Sequence, residues 1–264
     1  MLIFLKLGGS LITDKDKPYT ARMDSIKRAA EETNKALQED KNLKIVLGHG
    51  SGSFGHFAAK ETGFTEGIRT ADQWHGFQKV WHAAHDLNHQ FMEEFTKVGL
   101  AVVSFPPSSS ITSDNRIVCN WNIDPIKSAL KNHLIPVVFG DTIFDQSLGG
   151  IILSTEELFL NLIQPLHPNR ILLAGIEPGI WADFPEKKQL IPKITPDIFN
   201  RVNEQITTSI SVDVTGGMHK KVALMLKALT VNPKLDIEIF SGSKPGNIYK
   251  SLKGMTTGTI IAAR

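Results

Sequence analysis

Residues 43–56 read Leu43-Lys44-Ile45-Val46-Leu47-Gly48-His49-Gly50-Ser51-Gly52-Ser53-Phe54-Gly55-His56. An apolar, β-branched run, the mark of a buried strand over 43–48, passes into four glycines and two serines within nine residues. Glycine loses more conformational freedom on ordering than any other residue, so so dense a tract is costly as an idle turn. A nest of backbone N–H groups around a phosphate is the better reading. The spacing is not that of a Rossmann loop, and no Gly-Lys-Ser/Thr closes it as in a Walker loop.

The same arrangement occurs twice more. Strand 2–7 runs into Lys6-Leu7-Gly8-Gly9-Ser10, where Lys6 adds a point charge beside glycines that admit an anion. Residues Asp213-Val214-Thr215-Gly216-Gly217-Met218-His219-Lys220-Lys221 open a helix, with lysines one turn in. Thr215 is also a candidate N-cap there, and the two readings are compatible. The Lys-x-Gly-Gly-Ser loop alone is a weak signal; three such loops on one sheet point to a phosphate-handling protein well beyond any single one.

Between these loops, apolar runs alternate with helical patterns. Helices are expected over 22–38, 71–97, 123–132, 155–164 and near 218–229; strands over 100–105, 134–139, 170–175, 235–240 and 257–263. Segments 112–122 and 141–152 each suit a β-hairpin, and a proline-rich excursion covers 178–196. Strands joined by crossover helices predict an α/β fold, an αβα sandwich around a mostly parallel sheet. With no internal repeat or long linker, the division near residue 150 is a soft one between lobes of one sheet, 1–150 and 151–264.

The 264 residues are 41% hydrophobic and 21% charged, ordinary for a globular protein with a sizeable core. A net charge of +2 with dispersed lysines and arginines argues against a nucleic-acid partner. The lone Cys119 cannot form an internal disulfide. The apolar start, Met1–Leu5, is too short for a signal sequence, and no apolar run approaches the roughly 20 residues of a membrane helix. A cytoplasmic protein without membrane contact is expected.

The loops together resemble the amino-acid-kinase superfamily and, within it, the isopentenyl phosphate kinases. The resemblance spans nearly the whole chain: KLGGSLITDK at 6–15, GHGSGSFGH at 48–56, PVVFGD at 136–141, DVTGGM with Lys221 at 213–221 and TGTII at 257–261. It implies an acceptor-binding N-terminal lobe, an ATP-binding C-terminal lobe and a homodimer. Lys6 and Lys221 would flank the transferring phosphoryl group, and Lys15 would reach the same phosphates from a hairpin. Gly8, Gly9, Ser10, Ser51 and Gly217 would lie on the ATP side, with Asp183 as a further nucleotide or metal-side contact. Gly50, Gly55 and Gly140 would present backbone to the acceptor, and His56 would hydrogen-bond its phosphate. Mg²⁺ would accompany ATP on phosphate oxygens and water, without a protein metal site.

An acceptor already ionised near neutral pH needs no strong base, which matches an inventory of lysines and glycines without an activating dyad. The implied reaction is ATP-dependent phosphorylation of isopentenyl phosphate to isopentenyl diphosphate. Rival readings are a kinase of another small phosphate or phosphonate, of the fosfomycin type; a carboxylate kinase of the acetylglutamate type, disfavoured by His56; and a nucleotide-binding regulatory module without turnover.

The chain departs from the family pattern in places. Ser154-Thr155-Glu156-Glu157 stands where Ser-Gly-Asp-Asp is common, and the resemblance leaves Glu156, one methylene longer than Asp, the task of organising the lysines with shifted geometry. Ser51 replaces a glycine, and Gly175–Trp181 weakens the carry-over of nucleotide contacts. Asp141 is read either as an orienter of a lysine or as a turn residue. Trp74, Phe77, Val80, Trp81, Ala84, Leu87 and Phe91 form a broad apolar helix face, mostly core, with one or two positions free to wall a tunnel for an isoprenyl chain. His82, His85 and His89 share a face, yet no carboxylate or cysteine completes a metal set at ligand spacing. His49 is read as a brace for backbone, and Pro106–Ser110 either as a rigid connection at the rim of the acceptor pocket or as a solvent-exposed loop without a role.

Overall fold

Strand β1 (Leu2–Leu7) is apolar at every position but Lys6, the pattern of a strand covered on both faces. It lies inside an eight-stranded sheet in the structure, a computed structural model that describes residues 1–64, 67–183, 186–200 and 217–264. To one side stand β2 (Lys44–His49), β6 (Ile135–Phe139) and β3 (Val102–Ser104); to the other, β9 (Arg170–Gly175), β13 (Asp236–Ser241), β14 (Thr259–Ile261) and β12 (Lys193–Ile194). Neighbours pair in parallel except β13 with β14.

The chain leaves β1 for β2 on one side and returns much later to place β9 on the other. Such a reversal opens a crevice at the strands' C-terminal ends, where ligands of open α/β sheets bind. Helices α2 (Met23–Glu39), α3 (Gly52–Thr62), α4 (Ala71–Lys97) and α8 (Asn247–Leu252) supply residues to one core. The second core, on the other face, takes α5 (Asp124–Lys131), α6 (Thr155–Leu166) and α7 (Gly217–Val231). The expected αβα sandwich is therefore present. Among the described residues no helix is long and apolar enough to cross a membrane.

The two expected hairpins unite in a second sheet, β5 (Ile117–Trp121), β4 (Ile111–Asp114), β7 (Asp141–Asp145) and β8 (Gly149–Leu153). Helix α4 begins at a full capping box, Thr70 with Gln73, and buries Phe77, Val80, Leu87 and Phe91. The glycine tract after β2 holds a finding the sequence did not predict. Its second half is the start of α3, despite the poor helix propensity of Gly52 and Gly55. Burial of Phe54, Ala58 and Ala59 sustains the helix, which ends at Gly63 with φ +61°. A further short helix, α1 (Gly9–Ile12), follows β1 directly.

Candidate active site

The loops after β1 and β2 interlock at the crevice. Gly9 packs so closely on Gly52 that a Cβ at Gly9 would meet the Gly52 Cα and N at 2.5 Å. Gly50 N–H donates to the Leu7 carbonyl at 3.1 Å. Thr13 ties the pair together: its hydroxyl donates to the Gly9 carbonyl at 2.7 Å and accepts from Ser53 N–H at 2.9 Å. Beyond Thr13, an antiparallel bridge to Ala21 closes the hairpin that carries Lys15.

These elements line a cleft with Lys6, Gly9, Ser10, Lys15, Gly50, Ser51, Gly52, His56, Gly140, Ile152, Ser154, Thr155 and Lys221. Nine residues singled out in the sequence meet here: Lys6, Gly9, Ser10, Lys15, Gly50, Ser51, His56, Gly140 and Lys221. Backbone N–H groups at the start of α3 add a positive dipole end to the lysine charges. Ser51 adopts an ordinary helical backbone, so its Cβ brings no strain. Its side chain lies over Gly55, where an added Cβ would fall 2.7 Å from that of Ser51.

Four other expected residues do not line the cleft. Gly8 donates its N–H to the Ala174 carbonyl at 2.8 Å, and Gly55 donates to the Ser51 carbonyl at 3.3 Å. Gly217 is the first residue of α7, with φ +66°; the preceding 213–216, Thr215 included, lie outside the described residues. The Asp183 carboxylate accepts the backbone N–H groups of Lys188 and Gln189, at 3.0 Å each, and so holds a turn.

Beside the cleft, Lys6 forms a buried ion pair with Glu156, one residue into α6. Burial pushes the Glu156 carboxyl up, but the charges of Lys6 and Lys221 outweigh it and hold the group below the usual carboxylate range. Three lysines and one carboxylate leave two positive charges, suited to a polyanion. Glu156 keeps one oxygen, Oε1, without a hydrogen-bond partner among the described residues. The adjoining Glu157 completes a capping box with Ser154 and accepts a 2.9 Å bond from Arg116.

His49 does not reach the cleft. It is fully buried between Phe91 and Phe139, with Nε2 3.1 Å from Asn88 Oδ1 and Nδ1 3.2 Å from the Gly50 carbonyl. Burial pushes its imidazole down to about 4 from an ordinary 6.5. The folded state thus takes up this proton less readily than the unfolded state. Stability is full above about pH 6.5 and falls as pH drops toward about 4, by on the order of 3 kcal/mol. Urea unfolding across that range is expected to show the slope in the wild type and a flatter profile in His49→Asn.

A second depression, of about 620 Å³, is lined by Trp74, Phe77, Gln78, Trp81, His85, Pro106, Ser108, Ser109 and Phe144. It is an open, apolar groove. The Trp81 indole N–H is satisfied by Ser108 Oγ at 3.0 Å, so that wall offers an apolar ligand no unpaired indole donor. Pro106 and the turn 107–109 edge this groove. The three α4 histidines that share a face disperse: His85 reaches Asp141 at 3.3 Å, His89 reaches Glu93 at 3.5 Å, and His82 lies edge-on to Trp81.

Lysines from both halves of the chain thus enter one strand-end cleft, with an apolar groove nearby. The profile described as the amino acid kinase family matches residues 1–240. The chain belongs to the amino acid kinase family. The isopentenyl phosphate kinase of Methanocaldococcus jannaschii is 32% identical over 267 residues, covering 99% of this chain and 98% of the relative. That of Methanothermobacter thermautotrophicus is 30% identical, covering 96% of each. A solved structure described as isopentenyl phosphate kinase, 27% identical, superposes with a TM-score of 0.83 over 99% of this chain and 100% of its own. An N-acetylglutamate synthase from Neisseria gonorrhoeae, 13% identical, shares the fold at a TM-score of 0.69, over 61% of its chain.

In this amino acid kinase, sequence reasoning passed over several residues. Thr155 lines the cleft and donates to the His49 carbonyl at 2.6 Å, fixing β2 against α6. Thr13 was visible only as part of the Ile-Thr-Asp-Lys extension; its bridging role depends on two loops 40 residues apart. Ile152, from β8, marks where the hairpin sheet reaches the cleft.

Proposed function

We propose that this amino acid kinase transfers the γ-phosphoryl group of ATP to isopentenyl phosphate, giving isopentenyl diphosphate and ADP in isoprenoid biosynthesis. The observation that carries the reading is the meeting of Lys6, Lys15, His56 and Lys221 in one cleft. Full-length similarity to isopentenyl phosphate kinases supports the substrate. The apolar groove matches a five-carbon chain that offers no hydrogen bonds. A nucleotide-binding module without turnover would have no use for an acceptor histidine gathered with three lysines.

In this reading residues 1–150 bind the acceptor and 151–264 the nucleotide, and Gly9, Ser10 and Ser51 contact the ATP phosphates. Gly50 and Gly140 turn backbone toward the acceptor phosphate, and His56 hydrogen-bonds it. The acceptor oxygen is already anionic, so catalysis lies in alignment and in charge neutralisation by Lys6, Lys15 and Lys221. Among the described residues no three His, Cys, Asp or Glu side chains gather as a metal cage. The lysine-rich cleft fits Mg²⁺ that enters on the nucleotide, held by phosphate oxygens and water, where it supplies further neutralisation. A homodimer, tested by sedimentation, is the assembly the family resemblance supports.

The test is a coupled ADP-release assay over isopentenyl phosphate, dimethylallyl phosphate, longer prenyl phosphates, fosfomycin and acetylglutamate. Turnover is expected on the short prenyl phosphates; activity on another acceptor with none on any prenyl phosphate would overturn the assignment. His56→Ala is expected to lose most activity while binding ATP normally. Unchanged turnover in that variant would remove His56 from the acceptor site.

A further inference from the structure

The groove and the cleft are joined by two consecutive residues. Gly140 lines the cleft. Asp141, fully buried at the start of β7, holds the wall of the groove. One of its oxygens accepts from the Ser108 N–H at 3.1 Å and lies 3.3 Å from His85 Nε2; the other accepts from its neighbour Thr142 N–H at 2.9 Å. Since a carboxylate oxygen accepts, the proton sits on Nε2 of His85. The ring is fixed by Trp81, with centroids 4.1 Å apart, and edge-on by Phe139 at 5.1 Å. Ser108 Oγ, 3.4 Å from the same Nε2, closes the network.

We propose that His85 is a positioning residue for the acceptor: through Asp141 it fixes the Gly140 backbone in the phosphate cleft, while its ring forms part of the groove that takes the acceptor's apolar portion. The inference rests on the proposed prenyl phosphate acceptor. Its physical basis is that Asp141 anchors three separate pieces: helix α4 through His85, the turn at 107–109 through Ser108, and the β6–β7 junction through its own backbone. Without the His85 donor, the carboxylate loses a bond from the helix, and the junction that carries Gly140 is less tightly held. The ATP side contains none of these groups. The loss therefore falls on acceptor affinity and not on nucleotide affinity.

The experiment compares His85→Ala, His85→Gln and His85→Phe in steady-state assays with isopentenyl phosphate and ATP. Gln retains an amide donor near the place of Nε2; Phe keeps a ring in the groove but has no donor. For His85→Ala and His85→Phe, the KM for isopentenyl phosphate is expected to rise about tenfold, with the KM for ATP and kcat changing by less than about threefold. His85→Gln is expected to recover most of the loss. Recovery by Phe and not by Gln would show a packing role and overturn the proposal. So would an equal rise in both KM values, or no change in any variant. Should His85→Ala fail to fold, as read by its unfolding midpoint, the Gln and Phe pair still decides. Absence of wild-type turnover on prenyl phosphates would instead refute the proposed function, a result separate from these.

Discussion

Lys6→Met is expected to lower kcat by about a thousandfold and to destabilise the protein at the same time. The rate effect follows from its place in the cleft, where it would neutralise charge on the transferring group; single cationic or oxyanion contacts of this kind are worth about 10²–10⁵ in rate. The stability effect follows from Glu156. With Lys6 gone, a fully buried carboxylate keeps only the more distant charge of Lys221. Breaking such a pair from one side costs about 3–5 kcal/mol, and Lys221 keeps the loss toward the lower end. The double variant Lys6→Met/Glu156→Gln removes the stranded charge. It is expected to regain most of the stability, measured by urea unfolding, and none of the rate, measured by ADP release. Recovery of rate in the double variant would place Lys6 outside the chemistry.

Gly9→Ala is expected to reduce kcat/KM at least a hundredfold. An added methyl would stand 2.5 Å from both Cα and N of Gly52. Both obstacles are backbone, so no side chain can swing away, and the two loops must separate. A displacement near 1 Å in a site that works by alignment costs about 10²-fold. Gly140→Ala makes the useful comparison, since its methyl would meet its nearest neighbour, the Leu153 carbonyl, at an ordinary 3.6 Å. It is expected to fold normally and to lose less. Similar losses for the two variants would mean that the contact between the first two loops does not set the cleft.

Much of this was legible in the sequence because it is local. Helix α4 was expected over 71–97 and spans Ala71–Lys97, since capping chemistry and a long apolar period coincide there. The glycine loops, the histidine that ends one of them and the lysines beside the others all carry their chemistry in short motifs. Helix α3 was not legible: its first turn is composed of residues that favour loops, and only packing against α4 makes it helical. The resemblance assigned Glu156 to the lysines; which lysine it pairs with, Lys6 at a separation of 150 residues, is what the structure adds. Asp141 was read as a lysine orienter or a turn residue; in the structure its carboxylate meets His85, Ser108 and Thr142, contacts that no spacing rule encodes. The short strands β10 (Ile180–Trp181) and β11 (Leu190–Ile191) lie inside what read as a proline-rich excursion, because two-residue strands leave no periodicity to detect.

The central place of β1 also bears on how the chain is made. Its residues leave the ribosome well before those of β9, and β2 can pair with one edge soon afterwards. The other edge waits for Arg170–Gly175. At about 5–20 residues per second that interval is on the order of ten seconds or more. Through it the nascent protein shows the open edge of an apolar strand, a template for pairing with other chains. Fragments that stop short of β9 should therefore aggregate, and a chaperone that shields this edge during synthesis should raise the yield of the whole enzyme.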